Sequence, residues 1–275
     1  MDAKTVVVTG ANRGIGYAVA EELVRRGYRV VLVSRRAGAS AAAAAALAPV
    51  ASGPPPVAAV GDLATLSGIR AAADTIRDAC PRLDVLVHNA GLWPSRRTLT
   101  ADGFEESFAV NHLAPFLLNH LLEPELAAAR GRVVQVSAGL YVKGRADPAR
   151  TPTGADFSGL RTYADTKLCN LLLMPLFAER WADRGITINA VHPGVIRTGL
   201  GDRSGPIGVL LRLAKRRWAT PAEGAGPIVR LVTEPTGTGA YHHLDEPTPL
   251  TAPATDRALA ERLWSQAAEL TGVRV

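Results

Sequence analysis

The chain has 275 residues, 47% of them hydrophobic, and a formal net charge of +6 at pH 7, which fits one α/β domain. No run approaches the roughly 20 apolar residues that cross a bilayer, and the scattered basic residues form no nucleic-acid-binding motif. The first residues, MDAKTVVVTG, lack the apolar core and the cleavage site expected of a signal peptide. The two cysteines are far apart and no metal-ligand spacing occurs, so we expect a cytoplasmic protein with no metal site and no integral membrane association.

Valine-rich segments alternate with helical patterns along the chain. The predicted strands are KTVVVTG, RVVLVS, PVAAVGD, LDVLVHNAG, GRVVQVSA, ITINAVHPG and GAYHHL. Helices are predicted near 15–26, 38–48, 65–79, 101–122, 162–184 and 220–233, and in the last amphipathic segment ATDRALAERLWSQAAEL. Strands that are apolar on both faces belong in a parallel sheet. The alternation predicts a single-domain Rossmann-type doubly wound parallel sheet of about seven strands, spanning 1–275, with helices on both faces and ligands at the carboxyl ends of the strands.

Three stretches are predicted as loops, at 52–58, 141–160 and 197–206. Long loops in compact domains often cover binding sites, so we predict a substrate-side lid at about 197–218. The end of this lid, LLRLAKRRW at 210–218, is basic and amphipathic. Its charged face is either a solvated surface or a docking patch for a membrane surface or a carrier protein.

A glycine-rich turn follows the first predicted strand. The sequence TGANRGIG contains Gly10, Gly14 and Gly16 and leads into the first helix. Glycines allow a tight turn and a close backbone approach, and the N-terminus of a helix attracts phosphate. The turn therefore predicts a dinucleotide site that includes Gly10, Asn12, Arg13, Gly14, Ile15 and Gly16. The alternative is a purely structural turn.

The end of the second predicted strand indicates which dinucleotide binds. An enzyme that prefers NAD usually has an acidic residue there for the ribose 2′-hydroxyl, whereas this chain has Ser34, Arg35 and Arg36. Arginine can bind a 2′-phosphate through two hydrogen bonds, and Arg13 could approach the same phosphate. We therefore predict NADP(H) as the cofactor, the alternative being that these arginines are only solvated surface.

Two residues of the segment YADTK, Tyr163 and Lys167, have a spacing that places both on one face of a helix. A nearby ammonium favours the phenolate, so we expect Lys167 to lower the pKa of Tyr163, which is ordinarily near 10. Ser137 ends the strand GRVVQVS at the ligand-binding edge, where its hydroxyl could hold a substrate carbonyl oxygen. Because such Tyr–Lys pairs also occur by chance, the pair alone does not establish an active site.

Together these motifs resemble the short-chain dehydrogenase/reductase family. The matching residues are TGANRGIG, Asp62 with Leu63, HNAG at 88–91, Asn111, Ser137, Tyr163 with Lys167, and HPGVIRT at 192–198, in the family's order. DGFEESFAVNHL, YADTKLCNLLL and the late RLW are similar to the branch of retinol dehydrogenases and NADPH-dependent carbonyl reductases. Two departures stand out: His88 replaces a common asparagine, and Pro175 should interrupt the helix two turns beyond Lys167.

The resemblance implies a role for each matching position. The catalytic set would be Asn111, Ser137, Tyr163 and Lys167. The cofactor contacts would be Asp62 and Leu63 at the adenine, Asn89, Ala90 and Gly91 beside the ribose, Tyr163 and Lys167, and Pro193, Gly194, Val195, Ile196 and Thr198 around the nicotinamide. It also implies a homodimer or a homotetramer.

Pro115 lies four residues after Asn111 inside a predicted helix. Proline has no N–H, so the Asn111 carbonyl loses its helical partner and the helix should bend or loosen. The resemblance implies that an ordered water links this carbonyl to the Lys167 amine. The alternative is a kink that serves packing alone.

We therefore expect an NADPH-dependent oxidoreductase that reduces a ketone or an aldehyde by hydride transfer, with Tyr163 as the proton donor. An alcohol dehydrogenase that runs oxidatively is one alternative, and a catalytically silent dinucleotide-sensing protein is another. Its substrate would be a small carbonyl or alcohol. His242 and His243 could touch that substrate, and Trp93 either lines the pocket or packs in the core.

Overall fold

One sheet contains every strand in the described part of the chain. The computed structural model describes residues 3–197, 199–201 and 218–274. The strands are β1 Thr5–Thr9, β2 Arg29–Ser34, β3 Val57–Val60, β4 Val85–His88, β5 Arg132–Val136, β6 Thr187–His192, β7 Tyr241–His243 and β8 Glu246–Pro247, and their order is β3-β2-β1-β4-β5-β6-β7-β8. The strands from β1 to β7 pair in parallel, and β8 adds a short antiparallel edge. The doubly wound fold is confirmed, with one short strand more than expected.

The helices flank this sheet. They are α1 Gly14–Arg25, α2 Ala37–Leu47, α3 Leu66–Ala79, α4 Glu106–Phe108, α5 Ala114–Leu121, α6 Glu123–Ala129, α7 Gly159–Arg180, α8 Pro221–Thr233 and α9 Arg257–Thr271. Short 3₁₀ turns occur at Ala48–Val50, Gly139–Lys143 and Ala182–Arg184, and a π-helix spans Ala109–Leu113. None of the helices described is long and apolar enough to cross a membrane.

Two predicted helices have different bounds in the structure, and one helix was not predicted. The helix expected from 101 begins at Glu106, because the Glu105 carboxylate accepts the Phe108 N–H and caps it there. A separate helix, α6, begins at Glu123, where Pro124 occupies a first-turn position that needs no donor. The helix of the YADTK segment begins at Gly159 and runs past Pro175 to Arg180, so this proline does not end it.

The valine-rich strands are buried on both faces. Val7 and Val31 belong to one apolar core, and Val6 and Val30 belong to the other. The first core includes the aromatic side chains of Phe116, Phe177, Trp181 and Trp264, which pack against one another beside α7 and α9. The second core lies under α1, α2 and α8.

The sheet reverses its winding at β1, which pairs with β2 on one side and with β4 on the other. In sheets of this kind a crevice opens at that point, outside the carboxyl ends of the strands, and ligands bind there. The glycine turn follows β1 and the HNAG motif ends β4 at this crevice. Thr198 and most of the predicted lid lie outside the described residues, and the basic segment 210–218 is described only at Trp218. The lid therefore stays a prediction, as do the oligomeric state and the cytoplasmic location.

Candidate active site

A cleft of about 810 Å³ crosses the carboxyl ends of the strands. Most of the predicted site residues line it: Gly10, Asn12, Arg13, Gly14, Ile15, Ser34, Arg35, Arg36, Asp62, Leu63, Asn89, Ala90, Gly91, Ser137, Tyr163, Lys167, Pro193, Gly194 and Ile196. Gly16, Asn111 and Val195 do not line it. The cleft is therefore continuous from the glycine turn to the Tyr–Lys pair.

The glycine turn is shaped by backbone geometry and by close packing. Gly10 and Gly14 have φ angles of +67° and +59°, which side chains with a Cβ rarely adopt. A Cβ on Gly16 would lie 2.6 Å from the Gly10 carbonyl oxygen and 2.3 Å from the Asn89 Nδ2. No side chain caps the N-terminus of α1. The turn thus presents a concave backbone and uncapped N–H groups, which suit a pyrophosphate.

The Thr9 side chain joins β1 to the segment after β4. Its Oγ1 accepts hydrogen bonds from the Asn89 and Ala90 N–H groups at 3.0 Å, and it lies 3.3 Å from the Val87 carbonyl oxygen. Asn89 Nδ2 donates back to the Thr9 carbonyl at 2.9 Å. These contacts fix residues 89–91 beside the glycine turn.

The far end of the cleft is basic. Arg13, Arg35 and Arg36 are exposed there. Arg35 lies 3.9 Å from the Glu106 carboxylate, and in the described residues neither Arg13 nor Arg36 forms an ion pair. An exposed ion pair at that distance is weak, so all three guanidinium groups can turn to an anion.

At the opposite end of the cleft, Ser137, Tyr163 and Lys167 are each at most 5% exposed. The Ser137 Oγ is buried and has no hydrogen-bond partner among the described residues. The Lys167 Nζ donates to the Val136 carbonyl at 2.9 Å and lies 5.6 Å from the centre of the Tyr163 ring. The unpartnered serine hydroxyl leaves a hydrogen-bonding position for a ligand.

Burial dominates the titration of this pair. It raises the pKa of Tyr163 above its usual range and lowers the pKa of Lys167 to about 8, because each charged form loses hydration. In the protein alone, the pKa of Tyr163 thus moves opposite to the expected effect of Lys167. The phenol remains protonated at neutral pH.

The helix before Pro115 widens into the π-helix Ala109–Leu113, which confirms that the turn loosens. The Asn111 side chain forms two hydrogen bonds with the backbone of Leu92. Its Oδ1 accepts the Leu92 N–H at 2.7 Å, and its Nδ2 donates to the Leu92 carbonyl at 2.9 Å. The Asn111 carbonyl is not left without a protein partner, because Asn170 Nδ2 donates to it at 2.7 Å. A carbonyl oxygen can accept a second hydrogen bond, so the water link to Lys167 stays a prediction. Asn111 therefore contacts the wall of the cleft through the backbone of Leu92, which lines it.

Two polar residues of α7 escaped the sequence prediction. Thr166 lies 3.0 Å from the Asn111 Nδ2, and Asn170 holds its carbonyl. With Tyr163 and Lys167 they occupy positions i, i+3, i+4 and i+7, which share one helix face. The spacing of these residues on one helix face can be seen in the sequence, but their contact with Asn111 on another helix cannot.

Aromatic rings flank the reacting end. Trp93 stacks on Tyr163 with ring centres 4.8 Å apart and an interplanar angle of 11°. His192, which lines the cleft, stacks on His243 at 5.2 Å, and burial together with His243 and Lys167 lowers its pKa to about 4. His242 instead faces the Arg230 guanidinium, 3.2 Å away. Among the described residues no group of histidine, cysteine and acidic side chains could hold a metal ion.

Comparison with known proteins gives consistent matches. The family model for short chain dehydrogenase matches residues 4–206. Retinol dehydrogenase 14 of Homo sapiens is 35% identical over 99% of this chain and 88% of its own length. A Streptomyces sp. (strain C5) protein, provisionally named daunorubicin C-13 ketoreductase DnrU, is 35% identical over 99% of this chain and 94% of its own. A solved structure from Beutenbergia cavernae, provisionally named an NAD(P) dependent gluconate 5-dehydrogenase and containing NADP at low occupancy, is 29% identical, has a TM-score of 0.67 and covers 89% of this chain and 96% of that one.

Proposed function

The chain belongs to the short-chain dehydrogenase family of oxidoreductases, and we propose that within it the protein is an NADPH-dependent reductase that converts a ketone or an aldehyde to an alcohol. The observation that carries this proposal is the Ser137 hydroxyl, which is buried without a protein partner in the cleft that Tyr163 and Lys167 also line. A hydrogen-bond donor without a partner beside a phenol suits a carbonyl oxygen.

The cofactor that fits the opposite end is NADP(H). Gly10, Gly14 and the uncapped N-terminus of α1 would hold the pyrophosphate, and Arg13, Arg35 and Arg36 would hold the 2′-phosphate. NADPH supplies the hydride when it is bound. Asp62 and Leu63 would contact the adenine, residues 89–91 the ribose side, and the segment from Pro193 the nicotinamide.

Each residue at the reacting end has its own role in the proposed reaction. Ser137 donates a hydrogen bond to the substrate oxygen and thereby gains the partner that it lacks. Tyr163 transfers its phenolic proton to the same oxygen. Lys167 remains mainly an ammonium at neutral pH, since burial lowers its pKa only to about 8, and it favours the phenolate that forms.

In the protein without a cofactor, the protonation state of Tyr163 suits reduction, whereas a bound NADP⁺ would favour the phenolate and the oxidative alternative. Reduction needs a neutral phenol at the start, whereas alcohol oxidation needs a phenolate. Burial raises the pKa of Tyr163, so the neutral phenol prevails at neutral pH.

The test is turnover with a panel of ketones and aldehydes, followed by the loss of NADPH absorbance, with the matching alcohols and NADP⁺ as the reverse assay. Tyr163→Phe should bind NADPH as the wild type does and lose about 10²- to 10⁴-fold in turnover, because only the proton donor is removed. Turnover with alcohols alone would support the oxidative reading. Wild-type turnover by the Phe variant, or no turnover with any carbonyl or alcohol, would refute the proposal.

A further inference from the structure

Tyr163, Thr166, Lys167 and Asn170 form a polar stripe along α7, and all four are buried. Tyr163 and Lys167 belong to the proposed chemistry. Thr166 and Asn170 face Asn111 instead: Thr166 contacts its side chain at 3.0 Å and Asn170 its carbonyl at 2.7 Å. The helix that carries the reacting groups therefore also forms hydrogen bonds with the π-helix.

His112 orients the amide of Asn170. Since Asn170 Nδ2 donates to the Asn111 carbonyl, its Oδ1 faces the His112 Nδ1, 3.0 Å away, and must accept from it. Burial lowers the pKa of His112 to about 4, so this imidazole is neutral and carries its single ring proton on Nδ1. The direction of both hydrogen bonds is thus fixed.

Asn170 supplies the donor that the helix lacks. A regular α-helical turn would bond the Asn111 carbonyl to the N–H of residue 115, which is Pro115. The amide of Asn170 takes that position from a neighbouring helix. Asn170 therefore gives this buried carbonyl a donor that residue 115 cannot supply.

The hydrogen bond from Asn170 to Asn111 is linked to the cleft through Leu92. Asn111 holds both the N–H and the carbonyl of Leu92, and Leu92 and Gly91 line the cleft. A Cβ placed on Gly91 would lie 3.6 Å from the Asn111 Oδ1 and 3.9 Å from the Lys167 Nζ, so this wall is close to the reacting groups. We propose that Asn170, oriented by His112, is a positioning residue that sets the cleft wall at Gly91 and Leu92 against Tyr163 and Lys167; its effect on turnover rests on the reductase function proposed above.

The chain offers a matched control for testing this. Asn119 is also buried and faces a buried histidine, His88, at 2.8 Å, but the structure gives it no bond to Asn111. Asn170→Asp keeps the size and the acceptor for His112 and loses the donor for Asn111. Asn119→Asp makes the same chemical change elsewhere in the same core.

We expect Asn170→Asp to lower kcat on the order of 10- to 100-fold, because small displacements of positioned groups have effects of that size. The affinity for NADPH should fall much less, since the 2′-phosphate end is remote. Asn119→Asp should keep kcat within about twofold. His112→Leu, which leaves the Asn170 amide but removes its orienting partner, should also lower kcat if Asn170→Asp fails to fold.

Amide hydrogen exchange at Leu92 gives a readout that does not need turnover. The Leu92 N–H should exchange faster in Asn170→Asp, and in His112→Leu, than in the wild type or Asn119→Asp, because Asn111 no longer holds it firmly. Faster exchange in these variants, together with a wild-type protein that shows no turnover, would refute the proposed function but support the positioning role of Asn170. Unchanged exchange at Leu92 in a folded Asn170→Asp or His112→Leu variant, or equal losses of kcat in Asn170→Asp and Asn119→Asp, would overturn the inference.

Discussion

At the scale of single residues, burial and exposure divide the cleft into two ends with different chemistry. Tyr163 and Lys167 are buried, and the loss of hydration raises the pKa of Tyr163 and lowers the pKa of Lys167, so that each neutral form is favoured. Arg13, Arg35 and Arg36 are exposed and keep their side chains available to an anion. One end thus holds two buried titratable groups, and the other holds exposed positive charge.

Arg35→Ala should weaken the binding of NADPH and leave the binding of NADH nearly unchanged. The charge-assisted bond to a 2′-phosphate contributes about 1.5 kcal/mol at an exposed site, or roughly tenfold in Kd. Titration of both cofactors measures this difference. Arg25→Ala is the control, since Arg25 is also exposed but pairs with Glu21 on α1 and does not line the cleft. Equal wild-type affinities for the two cofactors would contradict the assignment.

At the scale of elements, the segment from Glu106 to Leu121 depends on contacts that lie outside it. Apolar periodicity predicted a helix here, and Pro115 predicted that the helix loosens. The start at Glu106 was missed, because Glu105 caps the helix and its backbone pairs with that of Pro152, far away in sequence. The hydrogen bond from Asn170 to the Asn111 carbonyl was also missed, since Asn170 lies 59 positions after Asn111 in the chain.

The capping box of α8 offers a test of element stability. The Thr220 Oγ1 accepts the Glu223 N–H at 3.2 Å, and the Glu223 carboxylate accepts the Thr220 N–H at 2.6 Å. Thr220→Ala should lower the free energy of unfolding by about 1 kcal/mol, because one N–H of the first turn loses its partner. Urea titration measures this change.

Thr75→Ala is the control for that measurement. Thr75 is a half-buried threonine inside α3 whose hydroxyl bonds back to the Ala71 carbonyl. Alanine has a higher helix propensity than threonine, so stability should be unchanged or slightly raised. A similar loss in both variants would show that the box contributes nothing specific.

At the scale of the whole molecule, two buried histidines make the free energy of unfolding depend on pH. Burial lowers the pKa of His88 and of His112 from 6.5 to about 4, although each faces an asparagine. Between pH 6.5 and 4 the unfolded chain therefore binds more protons than the folded one. The free energy of unfolding should fall as the pH falls through that window, beyond what the carboxylates contribute.

Calorimetry as a function of pH tests this dependence. His88→Asn introduces a residue that does not titrate, so its Tm should fall less between pH 7 and 4 than the Tm of the wild type. Parallel Tm curves for the two proteins would contradict the assignment of the acid sensitivity to His88.

The same scale shows how far sequence reasoning reaches. Strands such as β1 and β2 are buried on both faces, so their valines alone predicted the parallel sheet. The glycine turn predicted which edge of the sheet would bind a ligand. The stacking of Trp93 on Tyr163 and the pairs His88–Asn119 and His112–Asn170 were not predicted. Each joins residues from different elements, and no local pattern records which buried polar groups will meet.

The π-helix at Ala109–Leu113 also bears on how this chain could diverge. In register, such a turn is a helix with one residue inserted, and each residue turns an α-helix by about 100°. Deleting a single residue here would shift the helical phase of Asn111 against α5. Asn111 could then no longer reach Leu92 and Asn170 together, although neither of those side chains had changed. A descendant lineage could thus lose the whole arrangement in one event, and a one-residue gap at this point of an alignment would mark it.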